Sequence, residues 1–264
     1  MVFPSTPAAV LLLLLLVSTA LLVLVFALRV RSGRLPVFRP LPGITRLRTL
    51  FGEVAESGQP LHVATGPNQG SIAQVTPTAE TLGSLLIAQR IAQETTKRGG
   101  TVTATSGDIV AHAALRGTFH QAYRQAGFAS DFRPENVQLV AQNTPAAYAA
   151  GVAARYRVAP PAASVAAGSY GTEALLITGE GAAHGIPQVA AATSLAALPV
   201  LALSAEATLI GEELFAAEAY LSDSAAPKAR LLTQDVLRWL VIALLLGGLL
   251  WQVLAPVLNL PELS

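Results

Sequence analysis

The sequence predicts an α/β domain with a mostly parallel sheet and helices on both faces, flanked by two transmembrane helices. Two observations predict this architecture. Apolar runs of membrane-spanning length lie near both ends of the 264-residue chain. Between them, short apolar runs alternate with segments of helical periodicity. Such alternation is typical of parallel sheets, because each crossover between parallel strands places a helix on one face of the sheet.

The first apolar run covers residues 8–30 and contains no charged residue before Arg29. At about 1.5 Å per residue, a helix of this length crosses a hydrocarbon core of ~30 Å. A cleaved signal peptide is the alternative, but it would have basic residues before a shorter apolar run. No Lys or Arg precedes this run, so an anchor is favoured. The second run, residues 236–257, is also long enough to span, and it carries Trp239 and Trp251 near its ends.

Basic residues predict the orientation of these two helices. Arginines cluster just after the first run, and further basic residues lie just before the second. Because such residues mark the cytoplasmic ends of transmembrane helices, we expect a cytoplasmic central domain and both termini outside a bacterial plasma membrane. The residues expected at the membrane interface are Arg29, Arg31, Arg34, Trp239 and Trp251.

Charge and composition exclude several classes of function. Residues 53–235 contain 15 acidic and 10 basic residues, which gives this part of the chain a net charge of about −5. An acidic surface argues against nucleic-acid binding, which depends on cationic side chains. The chain has no cysteine, which excludes disulfides, thiol catalysis and cysteine-ligated zinc.

The organisation between the spans follows from proline, glycine and charge. Residues 31–60 are predicted to be a basic juxtamembrane linker, residues 61–228 the α/β domain, and residues 258–264 a short external tail. Within the linker, residues 45–55 have the spacing of a short amphipathic helix. That helix could lie on the membrane surface beside the arginines, or it could pack on the domain.

Short apolar runs and helical patterns give the elements of the domain. Strands are predicted at residues 61–65, 101–105, 137–141, 164–167, 189–192 and 198–203. Helices are predicted at residues 79–98, 108–126, 143–155, 172–180 and 210–221. The connection between the last two predicted strands is too short for a helical crossover, so these strands would be antiparallel if they pair.

Polar residues follow the predicted strands at the edge where ligands usually bind in open α/β sheets. Small hydroxyls, amides and glycines at helix starts can bind a polar or anionic ligand through backbone N–H groups. We therefore expect one concave pocket, although the same residue types also cap helices. The residues expected to line it are Asn68, Ser106, Asn143, Ser169 and Glu206.

Other motifs give little support for catalysis, and no cofactor or metal site is predicted. The segment Gly66-Pro67-Asn68-Gln69-Gly70 lacks both the Gly-Lys-Ser/Thr end of a Walker A motif and the glycine spacing of dinucleotide-binding loops. His112 and His120 lie about 80° apart on one predicted helix, too far for a shared metal. Isolated histidines such as His62 are usually structural.

Acidic residues are densest between Glu206 and Glu218. Carboxylates grouped in this way can serve acid–base or metal chemistry. However, Glu212 and Glu213 lie in the first turn of a predicted helix, where the helix dipole favours negative charge. Asp108 and His112 are also one turn apart, and a capping or surface pair is the favoured interpretation of that spacing over a catalytic dyad.

Three segments resemble a known family. QNTPAAYAAGVAARY (residues 142–156), GSYGTEALLITGEG (168–181) and TLIGEELFAAEAYLS (208–222) are similar to a bacterial family of membrane-associated proteins known only as a domain of unknown function. The resemblance covers residues 61–221 and the second span. Its most distinctive residues are Gly211, Glu212, Glu213, Phe215 and Tyr220. The family implies no established activity.

The sequence therefore favours a noncatalytic, membrane-tethered scaffold or accessory subunit. Its expected partners are the lipid bilayer and either another membrane protein or further copies of itself. A tether raises local concentration, so weak contacts would suffice. The alternative is a binding domain or enzyme for a small polar ligand at the carboxyl ends of the strands. A transporter is disfavoured, because the spans carry no buried charge.

Overall fold

The computed structural model describes residues 7–33, 38–67, 75–142, 144–222 and 224–258. The chain divides into two compact units. One is formed by Met1–Phe38 together with Ser222–Ser264, and the other by Arg39–Leu221.

The described residues form long terminal helices and an alternating α/β domain. The helices are α1 Pro7–Arg31, α2 Pro42–Ser57, α3 Val75–Lys97, α4 Ile109–Gln125, α5 Pro145–Val158, α6 Ala174–Ala183, α7 Leu198–Ser204, α8 Glu213–Leu221 and α9 Ala225–Leu258. The strands are β1 Leu61–Ala64, β2 Val102–Ser106, β3 Val137–Leu139, β4 Ala163–Ala167, β5 Gln188–Ala192 and β6 Ala207–Ile210. Short 3₁₀ turns cover Ala129–Asp131 and Pro134–Asn136.

The first unit contains α1 and α9, which pack against each other. Both helices are long and apolar enough to cross a membrane, over Leu12–Arg31 and Ala225–Leu249. Their leucines and valines are mostly exposed within the structure. A helix that is apolar on all sides and yet unburied by protein is suited to a lipid environment.

The second unit is built on one six-stranded sheet in the order β3-β2-β1-β4-β5-β6. Every neighbouring pair is parallel, and Leu61 of β1 lies opposite Val102 on one side and Ala163 on the other. The predicted α/β class with a mostly parallel sheet is therefore confirmed. Strands β2 and β3 follow β1 toward one edge of the sheet, and β5 and β6 follow β4 toward the other edge. The strand order therefore reverses between β1 and β4.

Helices cover both faces of the sheet, and the two faces differ in character. Helices α2, α3, α4 and α8 pack on an aliphatic face that includes Leu61 and Val63. Helices α5, α6 and α7 pack on a face in which tyrosines and alanines dominate, with Tyr148 and Tyr156 fully buried. Because successive residues of a strand point to opposite faces, His62 and Ala64 of β1 lie on the second face.

The predictions for the first five strands agree with the structure to within two residues. The prediction of a strand at residues 198–203 is wrong, because these residues form helix α7. Their continuous apolar run does not distinguish a helix from a buried strand. The structure resolves the ambiguity by burial: Leu201 is fully buried, whereas Leu203 is 89% exposed. In a strand, these two side chains would share one face.

Strand β6, Ala207–Ile210, was not predicted, and it pairs in parallel with β5. The sequence predicts that the following helix begins at Ile210, but Ile210 is the last residue of β6 and the helix begins at Glu213. The expected antiparallel pair at this edge is therefore absent from the described sheet. Helix α7 supplies the crossover that allows β6 to be parallel.

The compact domain begins at Arg39, before the predicted boundary at residue 61. Helix α2 lies within the predicted linker and places four apolar side chains in the aliphatic core. They are Leu47, Leu50, Phe51 and Val54. Of the two alternatives for this helix, the structure shows packing on the domain.

Candidate functional site

The strand order reverses between β1 and β4, and in open α/β sheets such a reversal forms a crevice at the carboxyl ends of the two strands. In open α/β sheets, the connections that leave two such strands diverge to opposite sides, and ligands bind between them. Strand β1 is followed by Thr65, Gly66 and Pro67, and β4 is followed by Gly168 and Ser169. Residues 68–74, between β1 and α3, lie outside the described part of the chain.

Two glycines allow the backbones after β1 and β4 to approach each other closely. A Cβ atom added at Gly66 would lie 3.0 Å from the Ser169 carbonyl oxygen. A Cβ atom added at Gly168 would overlap the carbonyl oxygen of Thr65. Gly66 also has a φ of 88°, which favours glycine. The crevice therefore has a floor of tightly packed backbone that leaves no room for side chains at these two positions.

Glu80 places a carboxylate beside this floor. It lies on α3 and is only 8% exposed. Burial raises the pKa of the Glu80 carboxyl, and a hydrogen bond with the Ser169 side chain opposes that rise. A buried carboxylate with a raised pKa is a recognised sign of a functional site, although structural groups can share it.

Glu80 is not among the residues that the sequence predicts to bind a ligand. An acidic residue near the start of a long helix is ordinarily explained by the helix dipole or by solvation. Only the position of α3 over the end of β4 shows that Glu80 meets Ser169. No local pattern in the sequence would have identified this pair.

Two tyrosines form hydrogen bonds with the backbone at the end of β1. They lie on the face of the sheet that α5, α6 and α7 cover, opposite to α3. The Tyr170 hydroxyl donates to the Ala64 carbonyl oxygen at 2.8 Å. The Gly66 N–H donates to the Tyr148 hydroxyl at 3.3 Å. Burial raises the pKa of both phenols, so both remain protonated and able to donate. These bonds fix the start of the loop that follows β1.

A buried polar network continues from Tyr148 beneath the sheet. The Thr105 hydroxyl lies 3.1 Å from the Tyr148 hydroxyl and 3.2 Å from His62 Nε2. His62 Nδ1 lies 2.8 Å from the Tyr156 hydroxyl, which is 2.5 Å from Ser164 Oγ. All of these side chains are buried. Each polar group has a partner, as a buried network requires.

His62 is neutral within this network. Burial is the main cause and the positive charge of Arg155 a smaller one, and together they lower the pKa of His62 to about 3. Burial raises the pKa of Tyr156. His62 therefore acts through hydrogen bonds, in agreement with the structural role expected from its sequence context.

Of the five predicted ligand residues, the three that the structure describes do not share one pocket. Ser169 lies in the crevice. Ser106 is fully buried, and its hydroxyl interacts at 3.2 Å with both the backbone N–H and the carbonyl oxygen of Asp108. Glu206 precedes β6 and so lies at the amino edge of the sheet, where it pairs with Arg46 at 2.7 Å. A strand at residues 198–203, as the sequence predicts, would place Glu206 at the carboxyl edge, but these residues form helix α7. Asn68 and Asn143 lie outside the described residues.

Two other acidic residues at the carboxyl edge, Asp108 and Glu213, have hydrogen-bond or ion-pair partners within the protein. Asp108 caps α4 by accepting from the Ala111 N–H at 2.7 Å, which agrees with the capping interpretation of its spacing. Glu213 accepts from the Ile210 N–H at 3.1 Å and pairs with Arg39 at 2.8 Å. In the described part of the chain, no group of three or more His, Asp or Glu residues is placed to hold a metal ion.

The rim of the carboxyl edge is rich in exposed aliphatic side chains. Each of them either ends a strand or begins the connection or helix that follows it. They are Ile109, Val110, Leu139, Leu175, Leu176, Leu195 and Ile210. Scattered exposed leucines are ordinary, but a concentration at one edge of a domain is typical of an interaction surface.

Four of the residues predicted at the membrane interface lie on the described parts of the terminal helices. Arg29 and Arg31 lie in the last turn of α1. Trp239 and Trp251 lie on α9, and Trp239 is 70% exposed. Arg34 lies outside the described residues.

Comparison with known proteins identifies a family without assigning an activity. Searches of the curated proteins and of the solved structures gave no match. A family model described as "Domain of unknown function (DUF6754)" matches residues 2–260. That match spans both terminal helices and the whole α/β domain. The protein therefore belongs to this family of unknown function.

Proposed function

We propose that this protein is a membrane-anchored binding domain for a small polar ligand, which binds in the crevice between β1 and β4. The observation that carries the proposal is the hydrogen bond between the buried Glu80 carboxyl and the half-buried Ser169 side chain, at the point where the strand order reverses. The close approach of the backbones at Gly66 and Gly168 supports it, because it brings the ends of β1 and β4 together at the position where open α/β sheets bind ligands.

The chemistry of Glu80 indicates the kind of ligand. A hydroxyl donor such as Ser169 does not neutralise a carboxylate. Placing Glu80 in a crevice therefore has an energetic cost that a hydrogen-bond donor from a ligand would offset. Hydroxyl and ammonium groups fit this requirement. Phosphate groups fit poorly, because they would add negative charge beside Glu80.

The test is a ligand screen with the full-length protein in detergent. Its probes are a nucleoside, a neutral sugar, a polyamine and inorganic phosphate, and its readout is the thermal unfolding midpoint. We expect stabilisation by a hydroxyl- or ammonium-bearing probe and none by phosphate. Glu80→Gln should abolish the shift, whereas Glu94→Gln on the same helix should retain it. An equal shift in wild type and Glu80→Gln would contradict the proposal.

A second candidate function is docking of a partner protein, which agrees with a scaffold or accessory role. The exposed aliphatic rim at the carboxyl edge supports it. A photo-crosslinking amino acid at Leu176 should capture a partner in native membranes. The same group at Leu203, which is exposed near the amino edge, is the matched control. Equal capture at both positions would argue against a specific docking surface.

Both candidate functions assume that the domain is held at a membrane. The two apolar helices and the basic residues beside them support a location in a bacterial plasma membrane, with the domain in the cytoplasm. Under this proposal, a cytoplasmic ligand or partner would be bound close to the bilayer.

A further inference from the structure

We propose that the carboxyl end of α1 and the segment of α9 around Arg238 form a binding site for anionic phospholipid headgroups, built from Arg29, Arg31 and Arg238. This inference rests on the proposed membrane location and is independent of the Glu80 crevice. It assigns a ligand class, the phosphate of an anionic lipid, to arginines on two helices that pack against each other.

Chain connectivity brings these arginines to one membrane surface. The domain joins the carboxyl end of α1 to the amino end of α9. If each helix crosses the bilayer once, the two must be antiparallel, and both domain-side ends lie at the same surface. The apolar part of α1 ends at Leu28, and that of α9 begins at Trp239. Arg29 and Arg238 therefore flank the same hydrocarbon boundary.

The charge of this helix pair is strongly one-sided. Lys228 and Arg230 add positive charge to the part of α9 that precedes Trp239. Among the described residues of that part, Asp235 is the acidic one. Toward the other surface, residues 7–28 and 239–258 contain no charged side chain. Arginine binds phosphate oxygens through paired N–H donors. Each arginine near an anionic surface favours anionic lipid by about fivefold.

The two tryptophans of the chain provide a reporter and its control. Trp239 follows Arg238 directly and is exposed, so its ring reports on lipids next to the proposed site. Trp251 lies 12 residues further along α9. That separation is about 18 Å of helix, which places Trp251 toward the opposite surface.

The experiment measures quenching of tryptophan fluorescence by brominated lipids in nanodiscs that contain the full-length protein. A phosphatidylcholine background carries a fixed minor fraction of brominated phosphatidylglycerol or of brominated phosphatidylcholine. The Trp251→Phe variant reports on Trp239, and the Trp239→Phe variant reports on Trp251. We expect an apparent preference for phosphatidylglycerol of about fivefold or more at Trp239 and little preference at Trp251.

Variants that remove positive charge then identify which arginines cause the preference for phosphatidylglycerol at Trp239. The triple variant Arg29→Gln, Arg31→Gln and Arg238→Gln should bring the preference at Trp239 close to one. Replacing the exposed arginines Arg116, Arg124 and Arg133 of the domain by glutamine removes the same charge and should leave the preference intact. High salt should weaken the preference in the wild type, because it screens exposed charges.

Three outcomes would overturn the inference. Equal quenching of Trp239 by the two brominated lipids would exclude a preference for anionic headgroups while leaving the membrane location intact. An unchanged preference in the Arg29, Arg31 and Arg238 triple variant would assign it to other charges. If neither lipid quenches either tryptophan, both this inference and the proposed membrane location fail.

Discussion

His62 shows how a single residue can couple folding of this domain to pH. In the folded protein its pKa is lowered to about 3, whereas an unfolded chain takes up the proton near pH 6.5. Between these values the unfolded state binds more protons, so stability rises with pH and is lost as the pH falls from about 6.5 towards 3. The expected slope from His62 is at most about 1.4 kcal/mol per pH unit.

The measurement is urea unfolding of the full-length protein at several pH values, followed by the near-ultraviolet signal of the buried tyrosines. Replacing His62 by Asn keeps a hydrogen-bonding side chain and removes the titration. The variant should lose the part of the slope that belongs to His62. A variant with the same pH dependence as the wild type would show that His62 does not cause it.

Gly168 tests the close approach at the crevice floor. Gly168→Ala should destabilise the protein by about 1–3 kcal/mol, because its Cβ would meet the Thr65 carbonyl and the two backbones would have to separate. Gly179 is the control, since a Cβ there lies no closer than 3.8 Å to other atoms. Gly179→Ala, in the middle of α6, should be neutral or stabilising. Comparable destabilisation by both substitutions would contradict this account.

At the scale of elements, α2 is the clearest departure from the sequence-based organisation. It belongs to the domain because its apolar stripe is buried against the sheet and its neighbouring helices. Leu50→Ala should therefore cost about 2–5 kcal/mol in a denaturant titration. Glu56→Ala on the exposed side should change stability by less than about 0.5 kcal/mol. If Leu50→Ala were as mild as Glu56→Ala, α2 would be a tether and not part of the core.

Helix α7 offers a test that distinguishes a helix from a strand. Leu201 and Leu203 differ by two positions, so a helix places them on different sides and a strand on the same side. We expect Leu203→Lys to be nearly neutral and Leu201→Lys to unfold the domain or destabilise it by several kcal/mol. Equal sensitivity at the two positions would favour the strand.

At the scale of the whole molecule, topology can be tested because the chain has no cysteine. Single cysteines at Ala154, on the exposed side of α5, and at Ser264 report on the domain and the carboxyl terminus. A membrane-impermeant maleimide should label the Ser264→Cys variant in intact cells, and it should label the Ala154→Cys variant only after the membrane is permeabilised. Labelling of the Ala154→Cys variant in intact cells would contradict a cytoplasmic domain.

The first five strands and most helices were predictable because their signals are local. A short run rich in β-branched residues or alanine, such as Val102–Ser106, lies between segments of helical periodicity. Its composition and length alone indicate a strand. Long apolar runs likewise identify both terminal helices without reference to the rest of the chain. The ambiguous segment was the apolar run that forms α7, where burial against the sheet decides between helix and strand.

The candidate site was only partly predictable. The sequence located the loops at the carboxyl edge and therefore Ser169, because loops after parallel strands share one edge. It did not locate Glu80, and it misplaced Glu206 through one wrong strand assignment. Partners in a site are usually distant in sequence, and their meeting depends on how helices pack across the sheet.

Local patterning of apolar residues alone determined that this protein has two apolar helices around a parallel α/β domain. Tertiary structure decided the strand order, the inclusion of α2 in the core, and the contact of Glu80 with Ser169 beside two closely packed glycines. The physical reason is the range of the interactions. Periodicity and turn chemistry act over a few residues, whereas the order of strands and the composition of a crevice depend on packing between segments about 100 residues apart.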